Sequence, residues 1–269
     1  MEAIDIVKKS RDTERPTSIN YVSGIFREFM EMHGDRKYGD DPAVITGIAY
    51  LNGKPVTVIA LEKGRNTKTR IHRNFGSAHP EGYRKALRQM KLAEKFNRPV
   101  ICFIDTSGAY CGIEAEERGQ GQAIADNLYH MSNLQVPIIS ILVGEGGSGG
   151  ALALGVSDAL WMMEHSYYSV ISPEGCASIL WKDPERAGEA AESLKITPED
   201  LLDQGLCDKV FTEGRPFREI IAEISMALTE KLDELTALSR DELVEKRYQR
   251  FRDFGTFNEE PNVENGLLD

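Results

Sequence analysis

Pro137-Ile138-Ile139-Ser140-Ile141-Leu142-Val143-Gly144-Glu145-Gly146-Gly147-Ser148-Gly149-Gly150 is the stretch that decides how this chain folds. Its first seven residues are apolar except for Ser140, with no alternation, and a run of that length reads as a strand buried on both faces. Five of the next seven residues are glycine. That ends the strand and leaves backbone amides exposed at the start of whatever follows. A short helical stretch from Ala151 to Val156 and a further apolar strand, Ala159 to Met163, complete a crossover unit of parallel type.

The same design occurs once more upstream. Val100 to Ile104 is an apolar strand, Asp105 to Gly112 a glycine-containing turn, and a helix continues to about His130. Before it, Tyr83, Ala86, Leu87, Met90, Ala93 and Phe96 share one helical face, which Arg98-Pro99 terminates. Ala43 to Tyr50 and Pro55 to Leu61 read as a hairpin closed by Asn52-Gly53. Ile19 to Met32 carries Tyr21, Val22, Ile25, Phe26 and Phe29 at helical spacing, so residues 1–40 are expected to be a helical N-terminal segment. Downstream, Thr197-Pro198-Glu199-Asp200 is a capping box with proline at the first helical position, closed by Gly205. Residues 215–255 are expected to be C-terminal helices, with Ile220, Ile221, Ile224, Leu228, Leu232 and Leu235 on one stripe, and 256–269 a disordered tail. Alternating strands and helices predict one layered α/β domain over 1–269.

Composition narrows the function. A net charge of -11 argues against a general nucleic-acid binder, which needs local positive charge. The longest apolar runs are strand-sized, too short to span a bilayer, and Met1 to Lys9 has no hydrophobic signal region; the expected location is the cytoplasm, with no membrane partner. The four cysteines, Cys102, Cys111, Cys176 and Cys207, form no C-x-x-C pair, so no metal site is expected.

Three readings compete for the Gly144 to Gly150 turn. Gly144, Gly146 and Gly149 match G-x-G-x-x-G, with Glu164 twenty residues on, as in a dinucleotide site, though the following helix is very short. Gly146-Gly147-Ser148-Gly149-Gly150 matches G-x-S-x-G, which would make Ser148 a nucleophile, but His165 is the only histidine after it. The third reading is an oxyanion hole of backbone amides, which needs no catalytic side chain. The turn Asp105 to Gly112 could then face it. A basic run, Lys63, Arg65, Lys68, Arg70 and Arg73, is either a solvated face or a site for a phosphate or carboxylate.

Asn74-Phe75-Gly76, His79-Pro80-Glu81-Gly82-Tyr83-Arg84-Lys85-Ala86-Leu87, Glu116-Glu117-Arg118-Gly119-Gln120, the Gly144 to Gly150 turn, and Ser172-Pro173-Glu174-Gly175-Cys176-Ala177-Ser178-Ile179-Leu180-Trp181-Lys182-Asp183 together resemble the alpha-subunit family of acetyl-CoA carboxylase carboxyltransferases. The resemblance runs from about Tyr21 to Gly255. It implies a crotonase-like α/β fold of repeated ββα units with a helical C-terminal region. It implies transfer of the carboxyl group of carboxybiotin, borne on biotin carboxyl carrier protein, to acetyl-CoA, giving malonyl-CoA for fatty acid synthesis. A zinc-bearing beta subunit (in an α2β2 heterotetramer) and biotin carboxylase in the larger ATP-dependent complex are the implied partners.

On this resemblance Gly149 and Gly150, with Gly146 and Gly147 beside them, are assigned to the biotin carbonyl hole. Gly108 and Ala109 are the second donor segment, and Lys63, Arg65 and Arg73 are candidates for anion contacts. Ser107 and Cys111 stand where the family has prolines, in D-T-P-G-A-Y-P-G, which predicts a more flexible first turn. The family's N-terminal helical extension has no counterpart here, which bears on assembly. Two other functions fit the residues: a diverged paralogue with a regulatory role or another acyl-CoA substrate, or a stand-alone crotonase-fold hydratase or hydrolase using Glu114, Glu116 or Glu117.

Overall fold

The computed structural model describes residues 1–255. The elements in chain order are α1 (Ala3–Ser10), α2 (Ser18–Ile25), β1 (Arg27–Glu31), β2 (Val44–Leu51), β3 (Lys54–Leu61), α3 (Thr67–His72), α4 (Pro80–Lys95), β4 (Val100–Thr106), α5 (Ile113–Glu117) and α6 (Gln120–Asn133). They continue with β5 (Ile138–Gly147), α7 (Ser148–Leu152), β6 (Ala159–Met163), β7 (Tyr167–Ser169), α8 (Pro173–Trp181), α9 (Ala187–Leu194), α10 (Pro198–Asp203), β8 (Lys209–Phe211), α11 (Phe217–Thr236) and α12 (Arg240–Arg252). The expected tail, 256–269, lies outside the described residues.

The strands form one mixed sheet in the order β1-β2-β3-β4-β5-β6-β8, with β7 alongside β5. β1, β2 and β3 are antiparallel neighbours, and every pairing from β3 to β8 is parallel. The uninterrupted apolar runs of β4 and β5 follow from that position, because each is covered on both sides. Ile101, Phe103, Ile139, Ile141 and Val143 point to a core shared with α2 and α11. Val100, Cys102, Ile104, Ile138 and Leu142 point to the opposite core, shared with α4 and α6.

The capping box of Thr197 and Asp200 and the left-handed Gly205 close α10 as expected. The expected helical stretch 215–255 divides into α11 and α12 at Ser239, whose hydroxyl caps the second helix. The N-terminal expectation needs correcting. The helix ends at Ile25, and β1 interrupts the span 1–40. Phe26 turns extended, and a bulge falls between Arg27 and Met30, with Glu28 at φ 52°. The bulge lets Phe26 and Phe29, three apart, both reach the core from an extended chain, which mimics helical spacing.

α12 is pinned by one side chain. Arg247 is buried; its Nε and Nη2 donate to Asp158 at 2.8 Å each, and its remaining donors reach the Met131, Leu134 and Val136 carbonyls. Asp158 in turn accepts from the Ile138 N–H at 2.7 Å, at the start of β5. Removing one member of a buried pair leaves the other charge uncompensated, so Arg247→Ala should cost about 3–5 kcal/mol in chemical denaturation. A loss under about 1 kcal/mol would mean that the pair has no such weight.

Candidate functional site

Three parallel neighbours converge at the end of β5. Ile139 to Leu142 pair with β6, whereas Glu145 to Gly147 pair with β7, so β5 changes partner at its first glycines. The ladder to β4 slips at the same place: Ile104 faces Leu142 but Thr106 faces Gly146. Asp105 fills that slip. A Cβ on Gly144 would lie 2.3 Å from Asp105 Oδ1, so only glycine leaves room for the carboxylate. Asp105 is buried, and its Oδ1 accepts from the Glu145 N–H at 2.9 Å and from Lys63 Nζ at 2.9 Å. Burial pushes the Asp105 carboxyl above its ordinary range, and the Lys63 ammonium and Glu145 amide pull it back.

The two glycine turns touch. A Cβ on Gly147 would stand 2.1 Å from the Ser107 carbonyl oxygen, and one on Gly150 would stand 2.5 Å from the Ala109 nitrogen. Gly149 differs, since its nearest neighbour is Ile124 at 3.8 Å. The amides of Gly149 and Gly150 lie in the first turn of α7, where a helix offers its N–H groups no partner. The Ala109 N–H has no acceptor among the described residues. Gly108 departs from its assigned role: its N–H donates to Thr106 Oγ1 at 3.1 Å, so Ala109 carries the free amide of that turn.

Hydrogen bonds hold the first turn where prolines are missing. The Thr106 hydroxyl also donates to the Gly108 carbonyl at 2.8 Å, and the Tyr110 N–H donates to the Ala78 carbonyl at 3.0 Å. Gln120 Nε2 donates to the Ala78 and Tyr110 carbonyls. The Tyr110 ring stacks on His79 at 4.0 Å, and Asn74 contacts His79 Nδ1 at 3.1 Å.

A groove of about 400 Å³ runs from Gly149 along Leu152, Tyr168, Val170, Leu194 and Leu206. Its walls are mainly apolar, with Lys195 at the side. At the β5–β7 pairing, Arg11 donates to Glu145 at 2.8 Å and to Glu174 at 2.6 Å, and the Tyr167 hydroxyl donates to Glu145 at 3.0 Å. The segment after α1 is thus fastened to the same strand end as the glycine turns.

The cationic candidates are not gathered at this groove. Lys63 is a correction: it is buried between Asp105 and the Ser10 carbonyl (3.1 Å), and its donors serve the fold and not a bound anion. Arg73 donates to the Pro42 carbonyl at 2.6 Å, and Arg65 is exposed. Ser148 has the positive φ (47°) expected of a nucleophile elbow, but His165 is engaged by Glu213 at 3.0 Å and Lys9 at 3.3 Å. Among the described residues no group of three or more His, Cys, Asp or Glu is placed to hold a metal ion, and no helix is long and apolar enough to cross a membrane. Asp105, Arg11 and Thr106 escaped the sequence reading. Only Asp105 left a signal, an acid closing an apolar strand directly before a glycine turn.

Solved structures place this architecture. Transcarboxylase 12S, in a crystal structure with methylmalonyl-coenzyme A and methylmalonic acid bound, superposes with a TM-score of 0.67 over 81% of this chain and 42% of its own, at 20% identity. A Pseudomonas malonate decarboxylase hetero-tetramer in complex with coenzyme A gives 0.65 over 80% and 89%, at 18% identity. The fold is therefore the crotonase-like fold of carboxyltransferases. A sequence model of the "acetyl co-enzyme A carboxylase carboxyltransferase-like" family matches residues 1–255, extending the likeness to the N-terminus. The acetyl-coenzyme A carboxylase carboxyl transferase subunit alpha of Ruminiclostridium cellulolyticum is 60% identical over 256 residues, 95% of this chain and 98% of that one. The subunit of the same description from Streptococcus sanguinis is 57% identical over 93% and 98%. The chain belongs to the acetyl-CoA carboxylase carboxyltransferase alpha-subunit family.

The glycine geometry separates two substitutions. Gly147→Ala should cost the purified chain about 3 kcal/mol or more, because its methyl group meets backbone that cannot yield. Gly149→Ala should stay within about 1 kcal/mol of the parent in the same melt. Equal melts for the two would contradict the packing described.

Proposed function

We propose that this chain is the biotin-facing half of a two-chain acetyl-CoA carboxyltransferase, active only with its beta subunit. The observation that carries the reading is the contact of Gly147 and Gly150 with Ser107 to Ala109, which sets two groups of unpartnered amides side by side, next to Gly149 at the end of an apolar groove. The groove suits a compact, uncharged bicycle with one strongly polar carbonyl. The ureido ring of biotin fits that description: bound there as carboxybiotin, it would supply its N-carboxylate as CO2 and, once that group has left, a ring nitrogen able to take a proton from the acetyl-CoA methyl group.

The chain's own work is then electrostatic. Gly149 and Gly150 N–H groups would donate to the biotin carbonyl and favour the charge that builds on it as the carboxyl group departs. Ala109 N–H, held by the Thr106 and Tyr110 clamps, would supply the second donor, and the apolar walls exclude water from the exchange. Because the donors are fixed by packing before substrate arrives, little reorganisation opposes the reaction.

The same reading assigns the partner. Ile113, just past the first turn, is 76% exposed, and Val170, on the groove wall, is 78% exposed. Large apolar side chains beside a site that must exclude water fit cover by a second chain. The carrier protein, bearing its biotin, and the beta subunit with its zinc and acetyl-CoA site complete the assembly on this reading. The stand-alone hydratase reading requires an acid sheltered beside a carbonyl, and Glu114, Glu116 and Glu117 are all exposed.

The test follows decarboxylation of malonyl-CoA with free biotin, using this chain and the beta subunit together and each omitted in turn. Turnover should require both. Gly149→Val, at a residue that lines the groove, should lower kcat/KM about 100-fold or more while the protein stays folded. Turnover of an acyl-CoA by this chain alone would overturn the proposal.

A further inference from the structure

Tyr83 stands on the inner face of α4, fully buried, and its hydroxyl has no hydrogen-bond partner among the described residues. A buried hydroxyl left unpaired carries a desolvation penalty that phenylalanine would avoid. Its position shows what it faces. The point where a Gly150 Cβ would sit is 3.0 Å from the Tyr83 hydroxyl oxygen, 2.7 Å from the Gly108 carbonyl carbon and 2.5 Å from the Ala109 nitrogen. Tyrosine hydroxyl, Gly108–Ala109 peptide and α7 therefore crowd one spot.

That peptide has capacity for one more bond. The Gly108 carbonyl oxygen carries two lone pairs, and Thr106 Oγ1 uses one of them at 2.8 Å. Burial and the nearby charge of Asp41 push ionisation of the Tyr83 hydroxyl far above its ordinary range, so it keeps its proton and remains a donor.

We infer that Tyr83 is a positioning residue for the Ala109 donor: its O–H donates to the Gly108 carbonyl as negative charge develops on the atom held by the Ala109 N–H. The two groups belong to one peptide unit, so charge at the amide end polarises the carbonyl and makes it a better acceptor. The chain O–H to carbonyl, then N–H to oxyanion, strengthens cooperatively. Because the hydroxyl is unpaired in the resting structure, the bond forms only on a shift of the turn or of the ring. Tyr83 never touches substrate and acts only through the peptide, and the inference rests on the amide-donor reading above.

The experiment compares Tyr83→Phe with the parent chain, each assembled with the beta subunit, in the malonyl-CoA decarboxylation assay and in thermal melts. The expected result is a fall in kcat of about tenfold, with KM for malonyl-CoA changed less than about twofold. The thermal midpoint should be unchanged or raised, because the deleted hydroxyl had no partner to lose. An undiminished kcat would overturn the inference, and so would a parallel loss of kcat and midpoint, which is the mark of a packing role. Gly149→Val run alongside separates the two levels. Loss of activity there with Tyr83→Phe unimpaired defeats this inference alone; full activity of Gly149→Val defeats the amide-donor reading and this inference with it.

Discussion

The buried Asp105 carboxylate is the constraint around which the rest of the molecule is arranged. One oxygen accepts both the Lys63 ammonium and the Glu145 N–H, so β3's extension, β4 and β5 meet at a single atom. The carboxylate occupies the place where the β4–β5 ladder slips, and that slip brings Thr106 opposite Gly146 and the two glycine turns into contact. A buried ion pair of this kind is a poor source of stability, since desolvating both charges offsets most of their attraction. Its value is in register: no apolar pair could both hold the Glu145 amide and leave the ladder displaced. Lys63 extends the constraint to the Ser10 carbonyl, and Arg11 carries it through Glu145 to Glu174 at the first turn of α8. The N-terminal helix, the sheet and α8 therefore share one polar network.

On the proposed reading, an acidic chain that favours negative charge at its site faces a conflict, and the backbone would resolve it. Lys63 is consumed by the fold, while Arg73 serves the Pro42 carbonyl. Lys195, at the side of the groove, is paired with Asp200 at 3.7 Å, and the amides of Gly149, Gly150 and Ala109 are neutral donors. Fixed dipoles of this kind act at short range and lose little to screening by salt, whereas a surface arginine competes with every counterion. They also add no formal charge that would need desolvating in the resting state.

Much of this was legible in the sequence. The uniform apolar runs of β4 and β5, the Asn52-Gly53 hairpin and the Thr197 capping box each depend on local chemistry that the residues state directly. The two glycine turns announced themselves, and so did their pairing. What failed was whatever depended on partners distant in sequence. Lys63 looked available because nothing nearby shows that Asp105 claims it. Gly108 looked like a donor because the Thr106 hydroxyl can fold back over it only in this particular turn. Phe26 and Phe29 looked helical because a bulge at Glu28 reproduces the spacing of a helix in an extended strand. Tyr83 read as ordinary core, as burial alone would have it, and only the geometry around Gly150 sets its hydroxyl apart.

The missing prolines illustrate how a family can keep a function while changing its support. Proline restricts a turn by narrowing the unfolded ensemble and fixing φ. Here the same turn is held in the folded state by Thr106 on one side and by the Ala78, Tyr110 and Gln120 bonds on the other, with the His79 ring stacked beneath. The two devices differ in consequence. A proline turn is rigid whether or not its surroundings are intact, whereas a hydrogen-bonded turn is only as rigid as the starts of α4 and α6, where His79 precedes the one and Gln120 begins the other. The donor geometry of Ala109 is therefore coupled to the packing of those helices. A substitution well away from the groove, on the α4–α6 interface, acts on the site through that coupling.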